Sequence, residues 1–141
     1  MAPDQAVSHC RNLYYAGSKD WRLPTVEELE SIVDFGRIQP AIDTSVFPNT
    51  PCNSNNMPDS WFLTSTNVTG ADGYAWYVSF YDGGIHPGDK TNQCYWRCVR
   101  MGPANLPDQR FIQRTYVNGE PIVMAMAAGR MWQKNYVSSQ R

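Results

Sequence analysis

The residues of this 141-residue chain that could do chemistry are few: four cysteines (Cys10, Cys52, Cys94, Cys98), two histidines and scattered carboxylates. Zinc or dithiol chemistry calls for thiols in Cys-x-x-Cys pairs or a supply of histidine. No such pair exists here, and only His9 and His86 could assist. A Gly-rich phosphate loop, a Gly-x-Ser-x-Gly elbow and a His-Glu-x-x-His zinc helix are all missing. Glu27, Glu28 and Glu30 stand on one predicted helix, where adjacent and near-adjacent residues fan around the axis. They read as a cap and a solvated face instead of an acid/base pair. The residues therefore predict no enzyme and no catalytic group.

Binding is what the remaining polar residues suit. Asp82, His86, Asp89, Lys90, Asn92 and Gln93 fall in one polar segment, and Asn53, Asn55, Asn56 and Asp59 in another. Hard oxygen ligands at Asp82, Asp89 and Asn92 are of the kind calcium takes, although the carboxylate and amide triplets of calcium-dependent lectins are missing. Solvated loops are the plain alternative, and no other cofactor is expected. Trp61, Trp76 and Trp96 could stack on sugar rings, but aromatic residues at strand positions belong more often to a core.

Composition limits the partners. With 42% hydrophobic and 13% aromatic residues the chain can bury one real core. Twelve Lys and Arg against 13 Asp and Glu give a net charge of -1, so there is no electrostatic footprint for nucleic acid or an anionic membrane. No apolar run approaches the ~20 residues of a membrane span. No signal peptide is legible, since Met1 leads straight into Ala2-Pro3-Asp4, as in a mature piece or a recombinant product. Four cysteines in a loop-rich chain read as disulfides of an oxidising compartment, which places the protein outside the cell or on its surface. Of the three pairings, the one joining Cys94 to Cys98 fails if both lie on one extended strand, because their Cα atoms would then sit about 13 Å apart. Two pairings stay open on the residues alone.

Periodicity supplies the elements that must position these groups. Ala6, Cys10, Leu13 and Tyr14 fall at helical spacing and predict a first helix of about three turns closed by Gly17. Thr25 and Glu28 form a capping box that opens a second helix, predicted over Val26 to about Phe35, with Leu29, Ile32 and Val33 on its inner face. Pro, Asn, Ser and Asp between Gly36 and Ser60 predict a long ordered loop. Trp61 to Thr66 and Tyr74 to Tyr81 read as strands, the second with Tyr74, Trp76, Val78 and Phe80 on one face. Asp82-Gly83-Gly84 turns the chain into a polar loop over residues 85 to 93, followed by a short strand at Tyr95-Trp96-Arg97-Cys98-Val99-Arg100. The expected core is Leu13, Trp21, Leu23, Leu29, Ile32, Val33, Trp61, Trp76, Val78, Phe80 and Val99.

The phrases Trp21-Arg22-Leu23-Pro24-Thr25-Val26-Glu27-Glu28-Leu29 and Tyr95-Trp96-Arg97-Cys98-Val99-Arg100, with Pro40-Ala41-Ile42-Asp43, Phe47-Pro48-Asn49-Thr50 and Ala75-Trp76-Tyr77-Val78-Ser79-Phe80 between them, resemble the Lcl C-terminal domain family of bacterial collagen-like adhesins. More distantly the chain resembles the formylglycine-generating-enzyme branch of C-type-lectin-like folds. The resemblance covers roughly the first hundred residues. It implies an α+β, C-type-lectin-like fold, with two helices packed on a small twisted mainly antiparallel sheet and long ordered loops. It also implies disulfides Cys10–Cys98 and Cys52–Cys94. Ligands of such folds bind at the end where the 49 to 60 and 82 to 93 segments lie, so Asp82, His86, Asp89, Lys90, Asn92, Asn55 and Asp59 are the implied contacts. The copper-binding thiol pair of the formylglycine enzymes has only Cys94 to match it, so oxidase chemistry departs from the pattern at its essential residues.

The end of the chain departs from the family order. The expected organisation is a core over 1–100, a linker over 101–109, and a segment over 110–141 that resembles the part that normally opens the domain. Within it, Arg110 to Val117, Asn118-Gly119 and Glu120 to Met126 carry a hairpin signature. Ile122, Met124, Met131 and Trp132 are expected to dock on the core, in the same chain or a neighbouring one. Two functions follow from this organisation. One is an extracellular recognition module that binds a glycan or a protein surface. The other is a building block of a tandem array or strand-exchanged fibre.

Overall fold

The computed structural model describes residues 2–52, 60–101, 111–115, 119–125 and 130–138, with the side chains of 2–4, 112, 125 and 138 left aside. Among these residues two helices and two mostly antiparallel sheets make an α+β fold. The first sheet orders its strands β3-β2-β1-β4-β9, from β1 (Trp61–Asn67), β2 (Tyr74–Ser79), β3 (Ile85–Asp89), β4 (Tyr95–Trp96) and β9 (Val137–Ser138). The second orders β5-β8-β7-β6, from β5 (Val99–Met101), β6 (Phe111–Thr115), β7 (Pro121–Ala125) and β8 (Arg130–Gln133). One small sheet was expected, and two are present. The chain crosses between them at Arg97-Cys98, so the expected single strand over 95–100 is two short strands in different sheets.

The first helix has the expected length of about three turns but ends earlier than expected, and the second is shorter than its periodicity suggests. Helix α1 spans Ala2–Arg11, and Gly17 (φ +78°) sits in the turn that bridges Tyr15 to Ser18 instead of closing the helix. Helix α2 spans only Val26–Glu30. Its capping box forms: Thr25 Oγ1 accepts from the Glu28 amide at 3.2 Å, and Glu28 Oε1 accepts from the Thr25 amide at 2.9 Å. The Ser31 hydroxyl then donates to the Glu28 carbonyl, a local bond that competes with continued helix. Ile32 and Val33 follow in turns, and the Asp34 amide is taken by the Ala41 carbonyl from the next segment.

Two buried clusters flank the first sheet. One joins Ala6, Cys10, Trp21, Leu63, Tyr77 and Trp96 beneath α1. The other joins Leu29, Ile42, Phe47, Phe62, Val78 and Trp132, between the first sheet, α2 and the second sheet. The 36–60 segment thus contributes Ala41, Ile42 and Phe47 to the core at 0% exposure. Of the expected core, Leu13 and Trp61 are only partly buried, and Trp76 packs against neither cluster.

The covalent frame is partly as expected. Cys10 and Cys98 are bonded, tying α1 to the crossing between the sheets. Cys52 and Cys94 are not bonded to each other, which corrects the second pairing. Burial pushes the Cys94 thiol up to about 12 even though a hydrogen bond with Tyr77 opposes it, so it is protonated and inert at neutral pH. Beside Cys98, Arg97 is completely buried, with its guanidinium carbon 4.7 Å from the Phe47 ring centre and 5.6 Å from that of Phe62. Its Nη1 donates to the carbonyls of Gln133 and Lys134.

The C-terminal strands pair within the same chain. Val99 faces Trp132 and Met101 faces Arg130 across β5 and β8, while Trp96 faces Val137 across β4 and β9. Trp132 is fully buried, Ile122 and Met124 are nearly so, and Met131 is half-buried. Met101 ends β5 and is not the first residue of a linker; 102–110 lie outside the described residues.

Glu28 locks α2 to both halves of the chain. Its carboxylate takes Arg22 at 2.6 and 2.7 Å and Arg130, from β8, at 2.9 Å. Burial pushes its pKa up, but hydrogen bonds from Arg22 and the Thr25 amide, with the charges of Arg22 and Arg130, outweigh that and hold it at about 2. A carboxyl depressed in the folded state stabilises fully above its unfolded value, near 4.5, and loses that contribution as pH falls toward 2. Glu28→Gln should therefore cost about 2 kcal/mol at neutral pH, discounted because Arg22 is half-exposed. The deficit should vanish by about pH 2 in acid-dependent melts.

Candidate functional site

The strongest candidate is the outer part of the β2–β3 hairpin. β2 runs antiparallel to β3 with Tyr74 opposite Asp89, Trp76 opposite Pro87 and Val78 opposite Ile85. Directly opposed residues share a face, so Tyr74, Trp76, Ile85, Pro87 and Asp89 project from one side of the sheet. Tyr77 opposite His86 and Ala75 opposite Gly88 project from the other. The segment 85–89, expected to be a polar loop, is thus a strand. Its Pro87 is tolerated because β3 is the sheet's edge, where a missing amide breaks no ladder. Gly83 enables the turn: its φ is +86°, and a Cβ there would come within 2.7 Å of Val33 Cγ1.

Coverage is incomplete on the Trp76 face. Leu29 of α2 packs on Phe62 and Val78, but the helix is one short turn and a half. Tyr74 stays 43% exposed and Ile85 45%, Pro87 is exposed and Trp76 is only partly buried. Phe35, also exposed, lies against the Gly83 turn of the same hairpin. The result is an aromatic and apolar platform on an edge strand. The signal for it was present in Tyr74-Ala75-Trp76-Tyr77, which carries aromatics on both faces of one strand, more than two thin layers can cover.

The expected contact residues fall in different places. Asp82, in the turn, accepts the Gly84 amide at 2.9 Å. Asp89, at the far end of β3, accepts the Thr91 amide at 2.9 Å and hydroxyl at 2.8 Å, and these bonds hold its carboxyl below the usual range. The whole of β3, about 13 Å of extended chain, separates the two carboxylates. They cannot share one calcium ion, whose ligands sit within about 2.6 Å of it. Among the described residues no group of three or more His, Cys, Asp or Glu is placed to hold a metal. His86 lies on the opposite face, stacked on Trp61 with ring centres 4.6 Å apart and planes 7° apart. Asn92 and Gln93 are exposed beyond Asp89, while Asn53, Asn55, Asn56 and Asp59 lie outside the described residues.

Lys90 belongs to a second feature, a groove on the α1 side. It lines a space of about 190 Å³ with Val7, Leu23, Leu63 and Asn67. A space of about 350 Å³ adjoins it, sharing Val7, Leu23 and Ser65 and adding Arg11, Trp21 and Arg22. The charges of the hairpin thus divide between faces, with Asp89 beside the aromatic platform and Lys90 away from it.

The Lcl C-terminal domain model matches residues 1–100 of this chain. The chain belongs to the Lcl C-terminal domain family. That match takes in α1, α2, the first four strands and the start of β5, and so the whole aromatic platform. No curated protein and no solved structure matches the chain. As an Lcl C-terminal domain it is adhesin-like, and no helix among its described residues is long and apolar enough to cross a membrane.

Proposed function

We propose that this Lcl C-terminal domain is an extracellular recognition module, built on a C-type-lectin-like frame, that binds a saccharide on the exposed face of its β2–β3 hairpin. The observation that carries the reading is Trp76, a partly buried tryptophan packed against neither core cluster and flanked by Tyr74 and Pro87. A large aromatic left open on a rigid strand offers the apolar face of a pyranose a stacking surface at little ordering cost. The disulfide supports an oxidising location, and membership of an adhesin-type family supports surface recognition.

A glycan array probed with the folded domain tests this. Binding should survive EDTA, because Asp82 and Asp89 are too far apart to share a calcium ion. Trp76→Ala should lower affinity at least about tenfold, the scale of one lost stacking contact, while the melting temperature moves little. Unchanged affinity in that variant would place the site elsewhere.

A further inference from the structure

The platform's charge points to a class of saccharide. Asp89 stands directly across from Tyr74, next to the Trp76–Pro87 pair. Asp72 is exposed in the turn before Tyr74, and Asp82 is exposed at the other end of β3. The described cations are placed elsewhere. Arg22 and Arg130 bind Glu28, Arg100 binds Asp20, and Arg37 pairs with Asp43. Arg11 and Lys90 line the groove on the other side of the sheet, Lys19 lies over Tyr14, and Arg97 is buried. Arg114 lies in β6 and Lys134 just after β8, both of the second sheet.

We infer that the β2–β3 face selects saccharides carrying a free, protonated amine over their N-acetylated or acidic counterparts. The inference rests on the proposed saccharide reading and adds the charge of the ligand to it. An ammonium group beside a stacked ring gains twice: from the negative face of the Trp76 indole and from the Asp89 carboxylate at its edge. A sulfated or carboxylated sugar brings like charge to the same carboxylates and is repelled. Asp89 keeps its charge in mildly acidic solution, where a sugar amine is fully protonated, because the Thr91 bonds favour its ionised form.

The test is titration calorimetry of the whole domain at mildly acidic pH with three probes of equal length: a glucosamine hexamer, the N-acetylglucosamine hexamer and a heparin hexasaccharide. The expected result is at least about tenfold tighter binding of the glucosamine hexamer than of the acetylated one, with heparin weakest. Asp89→Asn should bring the two hexamers to within about twofold, with an unchanged melting temperature because the Asn oxygen can still accept from Thr91. Trp76→Ala should weaken both at least about tenfold. Equal affinity for the two hexamers in the native protein would overturn the amine inference and leave the saccharide reading standing, as would tighter binding of heparin. A platform that binds no saccharide on the array or in the calorimeter overturns both.

Discussion

A chain ending at Met101 is expected to lose its cooperative fold, although residues 1–100 contain every part of the family match. The reason is where the later strands go. Val123 and Trp132 are fully buried in the cluster that also holds Leu29, Phe47, Phe62 and Val99, while Ile122 and Met124 enter the cluster beneath α1. Removing β6 to β9 opens both cores, strips β5 of its strand partner and β4 of one of its two, and leaves Arg97 without the Gln133 and Lys134 carbonyls. A single change isolates part of this: Trp132→Ala should cost about 3–5 kcal/mol, a large share of the 5–15 kcal/mol that holds a domain together. Near-UV circular dichroism and size-exclusion chromatography would report the truncated chain as non-native or aggregated. A truncated chain that stays monomeric and melts at the full-length temperature would show that these strands are dispensable.

Loss of the Cys10–Cys98 bridge is expected to have the second largest effect. The two residues are 88 positions apart, so the bond closes a loop of most of the family core. On the chain-entropy account such a loop contributes about 4 kcal/mol, which at this chain length corresponds to a fall in melting temperature on the order of 10–20 °C. The double variant Cys10→Ser, Cys98→Ser should show that loss. Peptide mapping of the non-reduced native protein should return this one bridge, with Cys52 and Cys94 alkylated only in reduced or unfolded form for the buried Cys94. A Cys52–Cys94 peptide in that map would contradict the arrangement seen here.

Short-range patterns in the chain were enough to place several elements. Thr25 and Glu28 are three residues apart, and a capping box needs nothing beyond that spacing to form. Alternation in Trp61 to Thr66 and Tyr74 to Tyr81 located β1 and β2 to within two residues, and the strands on either side of Asn118-Gly119 pair as a hairpin. The resemblance of the first hundred residues supplied the Cys10–Cys98 bridge. All of these rest on hydrogen bonds between near neighbours, on side-chain period, or on a recognisable phrase.

What depended on distant parts of the chain was not legible. Ile85-His86-Pro87-Gly88-Asp89 has the composition of a loop, and only the waiting edge of β2 makes it a strand. Tyr95 to Arg100 looks like one strand, but it is divided because β9 and β8, from more than thirty residues later, pair with its two ends. Glu28 looked solvated until Arg130 arrived from 102 positions away. The same holds for the site. Alternation alone put Tyr74, Trp76, Val78 and Phe80 on one face and made that face core. The tertiary structure buried Val78 and Phe80 but left Tyr74 exposed and Trp76 only partly covered, because burial of a strand face is decided by the element laid over it, and α2 ends after five residues.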